Sequence, residues 1–517
     1  MANELFVAVV GPAGSGTGRA AEIIKDLLES SELKGGPYEA HIVKASGVIK
    51  SWALANNRSI TPGDRKTLHR VREMQDHGDE MRRSTGDNAA VARGIVAEIR
   101  TRRAESSGRP EGELDGRRRA YIIESLRNPA EAHLLRRLYQ DAFSLVGVVC
   151  SPEERDRRLR SQLYDFKDMG KPDVKKQVAK FMERDADAPE KHGQHVTDTF
   201  HEADFFVDNS RDAKDNPSNT AMNDPLRRFV ELITSQRPQR PTVAETAMHQ
   251  ALSSQLRSAC LSRQVGAALV DGTGNVIATG TNEAPRAGGG VYGESFEVEA
   301  DHRCAFREKK FCSNNKMQND IISELLTAFP VLLEGREEKE VTAELRRTRI
   351  GGLIEFSRAV HAEMDAILSA ARVGVSPNGC RLFVSTFPCH YCARHIVSAG
   401  IDEVQYIEPY PKSQALRLHC DAITETAENW LPPSAIRRMG AERPTTETGP
   451  GRQPQVLFRP FVGVAPRMYA RVFMKDRDYK DKLTGEIAIG EPDWGGPTDM
   501  LKVRYTELEG VLGLPVT

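Results

Sequence analysis

Two short segments, His361-Ala362-Glu363 and Pro388-Cys389-His390-Tyr391-Cys392, constrain this chain more than anything else in it. They are separated in sequence, so a fold that uses them must bring one imidazole and two thiols to a single point. Cys389 and Cys392 are one helical turn apart, so both sulfurs face one side if that stretch opens a helix. His361 offers a third ligand. Three nitrogen and sulfur ligands leave one tetrahedral position open, which marks a catalytic rather than a closed zinc site. Zinc brings the pKa of bound water down to about 7. Glu363 reaches the same cavity without being a ligand and can carry a proton between water and a substrate. This kit suits hydrolytic attack on an amino-bearing ring carbon of a pyrimidine or purine. A CxxC pair by itself would equally suit a structural zinc or a redox motif.

The flanks agree with a catalytic arrangement. Arg381–Thr386 reads as a strand, and the cysteine pair then opens a helix over Ala393–Ser398. A helix N-terminus favours thiolates. Met364, Ile367, Leu368 and Ala371 share one helical face after His361.

A chain of 517 residues predicts two or three domains. The net charge of -1 argues against a dedicated nucleic-acid binder. No apolar run approaches the roughly 20 residues of a membrane span. The start runs directly into a strand and a Gly-rich turn, without the pattern of a signal peptide. Eight cysteines, two of them claimed by metal, fit a reducing cytoplasm.

Residues 1–235 alternate strand and helix. Leu5–Val10, Ala120–Ser125, Phe143–Cys150 and Ala203–Asp208 read as buried strands, with charge-rich helices over Asp64–Arg83 and Asn88–Arg103. The pattern predicts an α/β fold with a doubly wound parallel sheet. Residues 236–242 read as a linker. A second domain over 243–430 opens with a helix at Ala244–Ser262 and a hairpin around Gly272-Thr273-Gly274. It carries an insertion at about 285–350, with helices near Ile321–Leu333 and Glu337–Arg347. The tail, 431–517, reads as an extension packing on this second domain, with a loop at Glu442–Pro454 and a strand at Gln455–Phe458.

Residues 243–430 resemble the cytidine/deoxycytidylate deaminase superfamily, through Ser262–Ala267, Gly280-Thr281-Asn282, His361–Glu363 and Pro388–Cys392. The chain as a whole, with a P-loop-kinase-like domain ahead of the deaminase-like one, is similar to bacterial anti-phage dCTP deaminases. Glu408–Ser413 and Arg459–Arg467 resemble segments of that group. The resemblance implies a C-terminal cytidine-deaminase-like α/β/α domain that converts dCTP, and dCMP, to the uracil nucleotide and ammonia. It implies Zn2+ on His361, Cys389 and Cys392, proton transfer by Glu363, and a homo-oligomer. It places Asn282 at the nucleotide sugar, although an Asn after a strand is also an ordinary turn residue. Ser385 and Thr386 could present backbone groups to the base. Tyr410 and Lys412, past a strand end, stand where ligands often sit in α/β folds, and Lys412 could meet a phosphate.

Gly11-Pro-Ala-Gly-Ser-Gly16, between a strand and a helix, has the spacing of a phosphate-binding loop. The usual Lys and Ser/Thr are replaced by Thr17 and Gly18, which removes the phosphate-facing charge and the usual Mg²⁺ ligand. Gly11, Gly14, Ser15, Gly16 and Thr17 therefore read as a phosphate or regulatory-nucleotide seat without kinase chemistry, or as a bare turn. His302, Cys304 and Cys312 could contribute to a second metal site, with His419 or Cys420 as remote partners. Two other functions remain open: deamination within a polynucleotide, which the 6% aromatic content disfavours, and nucleotide sensing around a structural zinc.

Overall fold

The computed structural model describes residues 4–63, 66–110, 113–186, 192–210, 221–234, 237–294, 300–307, 310–410, 412–435, 454–474, 479–488 and 505–513. The chain divides into two compact units. One comprises Met1–Pro241 together with Val462–Thr517, and the other Thr242–Phe461.

In the first unit, β1 (Glu4–Val10), β2 (Glu39–Lys44), β3 (Arg119–Glu124), β4 (Phe143–Val149) and β5 (Phe205–Asp208) form a parallel sheet in the order β5-β4-β1-β3-β2. The central strand β1 is buried along its whole length, as an apolar run flanked by two parallel neighbours must be. β2 has no counterpart in the sequence reading. It is an edge strand with polar residues such as His41, half exposed on its outer side, so its apolar signal is broken.

The tail corrects an expectation. Residues 431–517 do not all pack on the second unit: beyond Phe461 the chain returns to the first. Gly463–Val464 adds an antiparallel strand to the edge of β5. Arg471 donates from NH1 to the carbonyl of Phe143 at 2.6 Å and from NH2 to Ser144 Oγ at 2.7 Å. The helix Tyr505–Leu512 then brings Glu509 to Arg103 at 2.6 Å, both fully buried. The sequence-expected loop at Glu442–Pro454 lies, up to residue 453, outside the described residues.

In the second unit, β6 (Gly266–Val270), β7 (Val276–Thr281), β8 (Arg381–Thr386), β9 (Glu403–Glu408), β10 (Ile423–Thr424) and β11 (Val456–Pro460) form a sheet in the order β10-β11-β9-β8-β6-β7. β7, β6 and β8 pair antiparallel, and β8, β9, β11 and β10 pair parallel. The first helix, Val243–Gln255, starts on a Thr242/Glu245 capping box and ends earlier than the sequence suggests. It stops where tertiary bonds take the chain: Ser258 Oγ donates to the Asn282 carbonyl at 2.7 Å, and the Ala259 N–H donates to Glu283 Oε2 at 2.7 Å.

Two glycines set how closely the helices sit on this sheet. A side chain on Gly266 would strike the Ala251 carbonyl and the Gln255 amide, and one on Gly280 would strike the Ala362 carbonyl and the Ala366 amide. Gly266 and Ala267 face opposite sides of the pleat, and Gly280 pairs with Ala267. The helices Val243–Gln255 and Ala362–Arg372 therefore cover opposite faces of the hairpin. Gly280→Val is expected to destabilise this unit by at least about 1–3 kcal/mol, because the obstacle is backbone that no rotamer change relieves. A shift in its denaturation midpoint measures this.

The insertion folds as the helix Ser313–Ala328, the 3-10 turn Pro330–Leu333 and the helix Glu338–Leu345, around a small core of Ile322, Leu326 and Val341. Among the described residues, no helix is long and apolar enough to cross a membrane.

Candidate active site

The site is built where two helices begin. Val360 exchanges both backbone hydrogen bonds with Glu283, beside the end of β7, and this fixes the approach to His361. His361 is the N-cap of the helix Ala362–Arg372, and its imidazole makes no capping bond. Cys389 is the N-cap of the helix His390–Ser398, after β8, and its sulfur accepts from the Cys392 N–H at 3.4 Å. His361 Nδ1 lies 3.3 Å from Cys389 Sγ and 3.3 Å from Cys392 Sγ.

The three ligand atoms all lie within 4.8 Å of one another, with both cysteines buried. This is the donor set, spacing and burial of a soft-to-borderline divalent ion such as zinc. Among the described residues it is also the single group of three or more His, Cys, Asp or Glu gathered this closely. The second metal site considered from sequence is not assembled: Cys304 and Cys312 line a small cavity with Cys260, and Cys420 is exposed.

Two helix N-termini point their partial positive charge at this cluster, which favours anionic groups there. Hydrogen bonds from Cys392 and His361 hold the Cys389 thiol down at about 4, while burial drives Cys392 far up. For His361, burial opposes the charged form, but contact with the Cys389 thiolate outweighs it and raises the pKa. Glu363, in the first helical turn, is 4% exposed. Burial, and then the Cys389 charge, push its carboxyl up to about 7, so it can hold or release a proton near neutrality.

The remaining sequence candidates divide. Asn282 is buried, with its side chain turned onto a neighbouring loop: Oδ1 accepts from the Val265 N–H at 2.6 Å, and Nδ2 donates to the Arg263 carbonyl. Ser385 Oγ accepts from the Gly266 N–H at 3.2 Å, and Thr386 Oγ1 donates to Glu408 Oε2 at 2.8 Å. Tyr410 packs on the same apolar core as Cys389 and Cys392, and burial raises its phenol pKa, with the Cys389 charge adding to the effect. Lys412 is exposed. The Gly11–Thr17 turn lies in the other unit.

Arg263 and Glu408 lie in segments that carry the family resemblance, but the sequence assigns neither a role. Arg263 NH1 lies 3.3 Å from Glu408 Oε2, the oxygen that also holds Thr386. Asn282 clamps the backbone on either side of Gln264, and the half-exposed Arg263 guanidinium pairs with Glu408. A loop arginine reads in sequence as a solvated charge, and only the tertiary clamp distinguishes this one.

Known proteins match these features. The family model described as the cytidine and deoxycytidylate deaminase zinc-binding region matches residues 241–408. The deoxycytidylate deaminase of Enterobacteria phage T2 is 32% identical over 174 residues, 33% of this chain and 82% of that protein. That of phage T4 is 31% identical over 33% of this chain and 80% of its own length. Among solved structures, dCMP deaminase from the cyanophage S-TIM5 aligns at 19% identity and a TM-score of 0.20, over 35% of this chain and 94% of that one. A gluconokinase from Sinorhizobium meliloti 1021 aligns at 13% identity and a TM-score of 0.22, over 45% and 96%. With the His361, Cys389 and Cys392 cluster inside the matched segment, and most of the phage T2 enzyme's length covered, the chain belongs to the cytidine and deoxycytidylate deaminase family.

Proposed function

We propose that the chain hydrolytically deaminates deoxycytidine nucleotides to deoxyuridine nucleotides and ammonia, with zinc held by His361, Cys389 and Cys392. The observation that carries this reading is Glu363: a buried carboxyl in the first turn of the helix that His361 caps, next to the His361, Cys389 and Cys392 cluster but outside it. A structural zinc site needs no such group. Bound zinc would supply a water acidic enough to give up its proton at neutral pH. Glu363 takes that proton and delivers it to the ring nitrogen N3 as C4 is attacked; it then takes the proton of the new C4 hydroxyl and passes it to the departing amine, leaving the C4 carbonyl and ammonia. Tyr410 and Phe387 pack in the same apolar core as the two cysteines, and Asn282 holds the loop that carries Arg263.

The phage relatives are named for dCMP. The resemblance of the whole chain to anti-phage dCTP deaminases extends the reading to dCTP, whose depletion starves phage replication, with the first unit as regulator. Incubating the protein with dCMP, dCTP, deoxycytidine and single-stranded DNA, and quantifying uracil and ammonia, tests it. Product is expected from the free nucleotides. Uracil appearing only within the polymer would sink the proposal.

Arg263 is the cation we assign to the substrate phosphate in this site. Arg263→Gln is expected to raise KM for dCMP about 10–100-fold, the loss of a charge-assisted pair, with little change in kcat. The turnover of deoxycytidine, which has no phosphate, should not move. Equal losses for both substrates would remove Arg263 from phosphate recognition.

A further inference from the structure

The Gly11–Thr17 turn belongs to the unit that does not hold His361, Cys389 and Cys392. It joins β1 to the helix Thr17–Leu28, with Gly14 and Gly16 left-handed at φ 83° and 95°. The Ala13 N–H in this turn already has an anion: it donates to Asp185 Oδ2 at 2.6 Å. Asp185 comes from the end of the helix Pro172–Ala186 and is 1% exposed. Its other oxygen accepts from Arg127 NH1 at 2.6 Å and from Gln75 Nε2 at 3.4 Å. Arg127 NH1 also reaches the Gly11 carbonyl at 3.4 Å, and Arg155 Nε donates to the Ala13 carbonyl at 2.9 Å. The same helix lays Val178 and Phe181 into one apolar cluster with Ala13. Inside the turn, the fully buried Ser15 hydroxyl has no hydrogen-bond partner among the described residues.

A carboxylate this deeply buried persists only where donors compensate its lost hydration. The donors here, a Gly-rich-turn amide and a guanidinium, are those that hold phosphate oxygens elsewhere. The lysine that usually supplies the charge is absent at Thr17, and Arg127, just past β3, brings a cation to the turn instead. Asp185 therefore occupies the donors that a phosphate would use, and its helix covers the way to them.

We propose that the Gly11–Thr17 turn and Arg127 form a phosphoanion site, for pyrophosphate or the phosphate end of a nucleotide, in which Asp185 is the resident competitor. Entry of the ligand displaces the carboxylate and releases the helix Pro172–Ala186. No phosphoryl transfer is involved, and the site is independent of the deamination reading.

The test is calorimetric titration of the full-length protein with pyrophosphate. Asp185→Asn, which removes the competing charge at equal size, is expected to bind at least tenfold more tightly than wild type, and adding Arg127→Gln should abolish that gain. A folded Asp185→Asn protein that binds no better than wild type overturns the proposal, as does a gain that survives Arg127→Gln. If the variants fail to fold, the wild type decides. Excess pyrophosphate must speed amide hydrogen exchange in the helix Pro172–Ala186, and unchanged exchange there overturns the competition.

Discussion

The Glu363→Gln protein is expected to keep its zinc and to lose at least about 10³-fold in kcat on dCMP, within the range of a general acid–base group. The two properties separate because the residue lies beside the metal ligands without being one of them. Gln preserves the volume of a fully buried side chain, so folding and metal content are expected to hold, while the group loses its capacity to exchange a proton. KM should change little, since the carboxyl acts on the reacting atoms rather than on the sugar or phosphate. Metal analysis and steady-state kinetics on one preparation provide the measurement. A Gln variant within tenfold of wild-type turnover would end the role given to Glu363. Loss of zinc from that variant would recast the residue as part of the metal cradle.

The second large effect is expected far from that chemistry. Arg103 is buried between two carboxylates, with Nε 2.9 Å from Glu4 Oε1 and NH1 2.6 Å from Glu509 Oε2. Tyr139 donates to Glu509 at 2.9 Å, and Tyr505 donates to Glu4 at 2.7 Å. Arg103→Leu strands two buried acids and should cost about 3–5 kcal/mol in the first unit. Replacing Glu4 and Glu509 with Leu as well should recover much of that loss, because no uncompensated charge remains. Calorimetric scans of the single and triple variants distinguish an ion-pair effect from a packing one. A triple variant as unstable as the single one would point to shape rather than charge.

What could be read without coordinates follows from which interactions are local. The metal ligands and Glu363 are legible because their chemistry demands particular residue types at short spacings, and β8 and the helix His390–Ser398 form where that spacing requires. Buried strands such as β1 and β4 announce themselves as continuous apolar runs. The edge strand β2, half polar, does not. Asn282 shows how a residue's place in a motif leaves its hydrogen-bond partners unstated. Its amide holds the loop at Arg263–Val265, and those partners lie 17 and 19 residues away. Sequence reading places the tail on the second unit. What decides its placement is the pairing of Glu509 with Arg103 across 406 residues, a contact invisible in any local pattern.

That returning tail has a mechanical consequence. The catalytic body is spliced into the polypeptide of its neighbour, so the backbone crosses between them at two places, near Pro241 and near Phe461. A protease nick at one crossing leaves the fragments joined through the other, and only severing both can set the catalytic body free.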